Sequence, residues 1–337
     1  MNHHCTINDK YTHNDMKIVF MENEFLKIGI LAGRGSDIFQ FIYKPVGVDV
    51  MLRLDKDIIN PNQIFSQMRD TSSQFEDYYY GGWQEILPNS APINYRGAEL
   101  GQHGEVSLIP WNYKIINQSE DEVSVKLWTR PLRFPIMIEK TLTLKKGSPK
   151  LHIDETLSNE SDTHLHLMWG HHIAFGLPFL KDGATIETSA TQFLAENVMS
   201  ENRMFKPNKI QDWPIVKGIK DEKIDAQKIL KASDRKFSDL AYLSNFKDEA
   251  YYSVKTDVMS FSINWDKAIF KSLWYWQERF ATQDAPWWGK TYATALEPWS
   301  SKWVHNPNMK LIEDEWLKLQ PRQMIKTTLT TNCSHKT

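Results

Sequence analysis

The stretch from Met137 to Asn159, "MIEKTLTLKKGSPKLHIDETLSN", alternates apolar and polar residues on both sides of a Lys-Lys-Gly-Ser-Pro turn. Side chains on an extended chain point to opposite faces with a period of two, so this pattern predicts a hairpin with one buried face and one wet face. The same period, or a wealth of β-branched and aromatic residues, marks "KIVFME" from Lys17, "FLKIGIL" from Phe25, "EVSVKLW" from Glu122, "VMSFSINW" from Val258 and "MIKTTLTT" from Met324. Turn signals such as "NESDT" and "KDGA" separate strands at spacings of roughly ten residues, which suits an antiparallel meander rather than helical crossovers. The expected class is all-β, built from large antiparallel sheets. A short amphipathic pattern within Asp221 to Asp239 predicts a helical insert on the surface.

No internal repeat, low-complexity tract or Gly/Ser linker divides the 337 residues, so a single domain is expected over residues 15–337. Residues 1–14 are polar and are expected to be poorly ordered. The 40 basic and 42 acidic residues nearly cancel and form no basic run, so there is no electrostatic footprint for nucleic acid. The opening residues lack the apolar core of a secretion signal, and no run of apolar residues is long enough to cross a membrane as a helix. A cytoplasmic protein, monomeric or homodimeric, is expected. Cys5 and Cys333 lie near opposite ends, which argues against a disulfide scaffold or a cysteine-rich metal site.

Aromatic residues cluster in "YYYGGW" (Tyr78 to Trp83), "LWYWQERF" (Leu273 to Phe280) and "APWWGK" (Ala285 to Lys290). Such rings pack cores, and they also stack on the apolar faces of sugars. Polar residues interrupt three otherwise apolar stretches. "GQHGEVSLIPW" carries His103 and Glu105, "HLHLMWGHHIAFG" carries His164, His166, His171 and His172, and "TYATALEPWSS" ends a strand on Glu297. Alternation along an extended strand turns His171 and His172 to opposite faces. Several chemistries are open to these residues. The aromatic platforms alone would make a noncatalytic carbohydrate-binding protein. His164 and His166, with Glu105 or Glu297, could chelate the metal of a β-sandwich sugar isomerase or a cupin-type enzyme. A lyase or glycosidase would need a Tyr/His base or two facing carboxylates.

Taken in order, "QHGE", "HHIAF" and "ALEPW" resemble the motifs of the aldose 1-epimerase, or galactose mutarotase, family. The similarity extends to "NEFLKIGILAGRGSDIFQFIYK", "TLTLKKGSPKLHIDETLSNES" and "LQPRQMIKTTL". The resemblance implies a galactose mutarotase-like β-supersandwich with an open sugar-binding face and no metal or other cofactor. It implies Glu297 as base, His172 as acid and His103 as a partner of the ring-oxygen side. With reference pKa values of about 4.3 for glutamate and 6.5 for histidine, Glu297 is expected to start ionised and His172 to carry the proton. The chain departs from the family where members carry an Asn-Arg pair, and Ile173 stands in place of a proline. The candidate sugar contacts are therefore Trp83, Glu85, Asn89, Glu105, His171, Trp276, Gln277, Glu278, Asp284 and Trp288. Arg34 or Arg69 would suit an acidic or sulfonated sugar.

Overall fold

In the computed structural model, which describes residues 4–63, 74–199, 202–303 and 307–335, the alternating segments pair into two large antiparallel sheets of 12 and 9 strands. The hairpin of Ile136–Lys145 and Leu151–Asn159 sets Ile138 opposite Leu157 and Leu142 opposite Ile153. Successive side chains on both strands alternate between buried and more exposed, which puts these four apolar residues on the buried face. This hairpin belongs to the 9-stranded sheet, whose inner face meets the inner face of the larger sheet. Phe41 and Phe175 of the larger sheet each pack edge-on against Phe261 of the smaller, with ring centroids 5.3 Å apart in both pairs. Burying each such side chain contributes about 1.5–3 kcal/mol, so the interface between the sheets is the main source of stability.

The centre of the larger sheet runs, strand by strand, through Asp37–Tyr43, Trp83–Ile86, Gly170–Phe175, Tyr292–Trp299, Ser272–Arg279 and Ser238–Phe246. These segments come from distant parts of the chain, and the sheet sets the His172 and Glu297 strands side by side. Among the described residues, no helix is long and apolar enough to cross a membrane. Cys5 and Cys333 are both buried and unpaired with each other.

Two expectations are corrected. Thr6–His13 is a strand rather than a poorly ordered segment: it pairs with Met16–Glu22, and Ile7, opposite Met21, supplies a buried anchor that its polar neighbours conceal. Residues 221–239 form no helix. Instead, Lys223–Asp225 pairs with Ile215–Lys217 and Lys228–Ile229 pairs with Ala184–Thr188, while Ala226, Ile229 and Phe237 are buried. Strand pairing and burial override the local 3.6-residue pattern. The helices described lie elsewhere, at Gln74–Tyr78 and Met309–Glu315.

Candidate active site

The strand Gly170–Phe175 is buried along its whole length and presents its two histidines to different surroundings. Its neighbour sets Gln84 opposite His172 and Glu85 opposite His171. His172 faces a cleft of about 240 Å³ on the outer face of the larger sheet. Glu297, on the adjoining strand Tyr292–Trp299, faces the same cleft. His172 Nε2 lies 3.7 Å from a Glu297 carboxylate oxygen. His103 completes a triangle, its ring centroid 5.7 Å from that of His172. Aromatic side chains wall the hollow: Phe75 and Tyr79 from the Gln74–Tyr78 helix and its end, Trp274 and Trp276 from the sheet, and Trp287 and Trp303 from loops.

Burial sets the charge states. It pushes Glu297 up to about 8, against the hydrogen bond it accepts from Trp299 Nε1 at 2.9 Å. It also pulls His172 down to about 4 and, together with the neighbouring His172, holds His103 well below the ordinary histidine range. At neutral pH the resting pair is therefore a carboxylic acid and a neutral imidazole. This reverses the expected ionised Glu297 and protonated His172, because the apolar walls disfavour both charged forms. The Nδ1 atoms of His172 and His103 are themselves buried, so each ring meets the cleft through its other edge.

The carboxyl is held from below. Trp299 stacks on Trp274 with centroids 4.2 Å apart and its indole donates to Glu297. Trp299 sits over Gly170, where an added Cβ would come within 2.2 Å of the indole ring. His103 is set by its loop. Asn89 donates to Gly101 O and Ala91 O, and the His103 amide donates to Ser90 O at 2.8 Å. His103 itself has φ +62°, a left-handed conformation uncommon for a residue with a Cβ and frequent where function demands it.

On the inner face, His171 meets a different set of groups. Trp83 Nε1 donates to its Nδ1 at 3.1 Å, which puts the ring proton on Nε2, 3.2 Å from Glu155 of the smaller sheet. Glu85 accepts from Trp169 Nε1 and lies 3.5 Å from Lys140 Nζ. Burial and the Glu85 carboxylate push Glu155 up to about 7. Glu85, Glu155 and His171 are the one set of three metal-ligating side chains found close together among the described residues. The ammonium of Lys140 already supplies the balancing cation there.

Of the expected sugar contacts, the cleft contains Trp276 and Glu278, together with His103, His172 and Glu297. Glu278 is largely committed to its own loop, accepting from the Ala281 and Thr282 amides and the Thr282 hydroxyl. Trp83, Glu85 and His171 lie instead between the sheets, one register position away from the cleft face. Asn89 shapes the His103 loop. Gln277 is fully buried and accepts from Arg279, because alternation turns it away from Trp276 and Glu278. Glu105 accepts the Arg133 amide, and the Asp284 carbonyl closes the Trp287–Trp288 turn. Trp288 lines a second hollow. Arg34 is buried beside Asp37 and donates to Ile59 O, so it does not reach the cleft; Arg69 lies outside the described residues. His164 contacts Arg96, and neither it nor His166 joins a carboxylate in a chelating group. Phe75, Tyr79, Gln102, Trp274, Trp287 and Trp303 line the cleft besides the expected contacts. Tyr79, Trp274 and Trp287 belong to the aromatic clusters of the sequence, and Trp274 shares a strand face with Trp276.

Solved structures share this architecture. A Klebsiella pneumoniae protein described as a candidate aldose 1-epimerase superposes with a TM-score of 0.71 at 16% identity, covering 98% of this chain and 83% of that one. A galactose mutarotase-like protein from Clostridium acetobutylicum gives 0.65 at 14% identity, covering 99% and 100%. A galactose mutarotase related enzyme from Lactobacillus acidophilus gives 0.62 at 16% identity, covering 95% and 98%. The fold is thus the galactose mutarotase-like β-supersandwich. No curated protein matches the chain. Residues 13–333 match the family model described as "Domain of unknown function (DUF4432)", and the chain belongs to that family.

Proposed function

We propose that this protein is a mutarotase that interconverts the α and β anomers of a neutral aldose by acid/base ring opening, with no cofactor in the chemistry. The observation that carries the reading is the His172–Glu297 pair, 3.7 Å apart at the floor of an aromatic-walled cleft of monosaccharide scale. The fold likeness to proteins named as mutarotases and aldose 1-epimerases supports it.

Between its two titrations the pair holds one proton. His172 takes the proton of the anomeric hydroxyl while the Glu297 carboxylic acid gives its proton to the ring oxygen, and the C1–ring oxygen bond breaks. The open-chain aldehyde then faces an imidazolium and a carboxylate. After rotation about the C1–C2 bond, Glu297 takes the proton back from the sugar hydroxyl as base, and His172 returns the other as acid. This assignment exchanges the opening roles implied by the family, which were Glu297 as base at the anomeric hydroxyl and His172 as acid at the ring oxygen, because burial leaves the carboxyl protonated and the imidazole neutral. His103, held uncharged by burial and lining the same cleft, is the group assigned to the ring-oxygen side.

Among the described residues no lysine or arginine lines the cleft, which favours an uncharged sugar over a uronate or sulfo-sugar. Exchange spectroscopy on α and β anomers of glucose and galactose tests the reading. Faster exchange that disappears in Glu297→Gln supports it. Sugar binding without faster exchange would instead identify a noncatalytic carbohydrate-binding protein.

A further inference from the structure

Trp287 is a wall shared by two hollows. On one side lies the catalytic cleft, and on the other a hollow of about 440 Å³ lined by Leu52, Arg53, Lys56, Asp77, Trp288 and Lys290 among others. The Gln74–Tyr78 helix joins in the same partition: Glu76 faces the catalytic cleft and Asp77 the second hollow. Lys56 secures that helix by donating to the carbonyls of Glu76 and Asp77 at 3.0 and 2.9 Å. If the smaller cleft of about 240 Å³ holds one sugar ring, the larger neighbour has room for another.

The chemistry of the second hollow suits a sugar. Its charged groups are of mixed sign, Arg53, Lys56 and Lys290 against Asp55 and Asp77, matching hydroxyls that both donate and accept. Trp288 is 64% exposed, unusual for so large an apolar ring, and is held at φ +48°. Its turn is fixed: the Trp287 and Trp288 amides donate to Asp284 O and the Gly289 amide donates to Thr282 O. Thr282 is in turn clamped by Glu278. A rigid turn that directs one tryptophan into the first cleft and leaves the next exposed over the second offers two stacking surfaces in series.

The geometry points to a second saccharide subsite: the natural ligand is a reducing disaccharide or longer oligosaccharide. Its reducing ring lies at His172 and Glu297, and its next unit lies beyond Trp287 against Trp288. This inference rests on the mutarotase reading for the orientation of the ligand, but its test does not require turnover.

Titration calorimetry would compare glucose and galactose with cellobiose, maltose, lactose and melibiose, using the full chain and its Trp288→Ala and Lys290→Ala variants. The expected result is that at least one disaccharide binds about tenfold more tightly than the monosaccharide at its reducing end. Trp288→Ala should abolish that gain while leaving monosaccharide affinity unchanged, and Lys290→Ala should reduce it. Disaccharides binding no better than their monosaccharides, or a Trp288→Ala change that is equal for both or absent for both, would overturn the subsite. Absence of anomer exchange with an intact disaccharide gain would defeat the mutarotase reading and leave the subsite standing.

Discussion

His172 and Glu297 stand on adjacent strands with an imidazole nitrogen 3.7 Å from a carboxyl oxygen, and burial suppresses the charge on both. Among the described residues neither group has a further charged partner that would fix its proton. That arrangement leads to the first expectation. Glu297→Gln and His172→Asn should each lower the rate of anomer exchange by about 10²–10⁴, the usual yield of a positioned acid or base, while monosaccharide binding persists. Polarimetry of freshly dissolved α-glucose and α-galactose, with calorimetry alongside, measures both. Wild-type rates in either variant would exclude that residue from the proton transfer.

The pH profile should be a bell. Below about 4 His172 also binds a proton and no base is left; above about 8 Glu297 loses its proton and no acid is left. The two limbs belong to the interacting pair rather than to isolated residues. A rate that keeps rising past pH 9 would contradict it.

The same shift affects stability. Folding raises Glu297 from 4.5 to about 8, so the folded protein holds a proton that the unfolded chain has shed. Its contribution is therefore fully present below pH 4.5 and is lost as pH rises through 8. Glu297→Gln should accordingly be more stable than wild type at pH 9, by about 2–4 kcal/mol, with the difference gone at pH 4. Urea denaturation at the two pH values gives the comparison.

His171→Asn should act on the fold rather than on the chemistry. Removing the ring strands the Trp83 indole and Glu155 in a dry interior, at a cost of about 2–4 kcal/mol. The surviving folded protein should exchange anomers within a few-fold of wild type. A variant of normal stability but lost activity would place His171 in the cleft after all.

Gly170→Ala should harm both properties. The added methyl meets the Trp299 ring at 2.2 Å, so the indole must shift, together with the carboxyl it supports. A loss of about 1–3 kcal/mol is expected from overpacking, with reduced exchange and a changed near-ultraviolet circular dichroism from the Trp274–Trp299 stack.

Alternation carried most of the fold. Ile138, Leu142, Ile153 and Leu157 announced their buried face because nothing but the pleat decides where they point. It also separated His171 from His172 correctly. It could not say which of the two met a cleft, because both faces of Gly170–Phe175 are buried and both offer polar partners. Glu85 and Trp83, expected at the sugar because they stand in the stretch where the family carries its Asn-Arg pair, share the inner face with His171. The aromatic walls were harder still. Phe75 and Tyr79 come from a five-residue helix too short to show a period. Trp287 and Trp303 come from loops whose direction is set by contacts distant in sequence. The charge states were illegible for a related reason, since burial arises only once the walls are assembled.

The neighbouring histidines carry a further consequence for how this chain can vary. One imidazole is cemented into the interior and the other is exposed to chemistry, and only the parity of their positions distinguishes them. A single-residue insertion or deletion within that strand would exchange their destinations, stranding the cleft-facing ring indoors and leaving the interior carboxylates without their anchor. Length changes should therefore be confined to the loops on either side, where the cleft-facing surface can diversify without exchanging the surroundings of the two histidines.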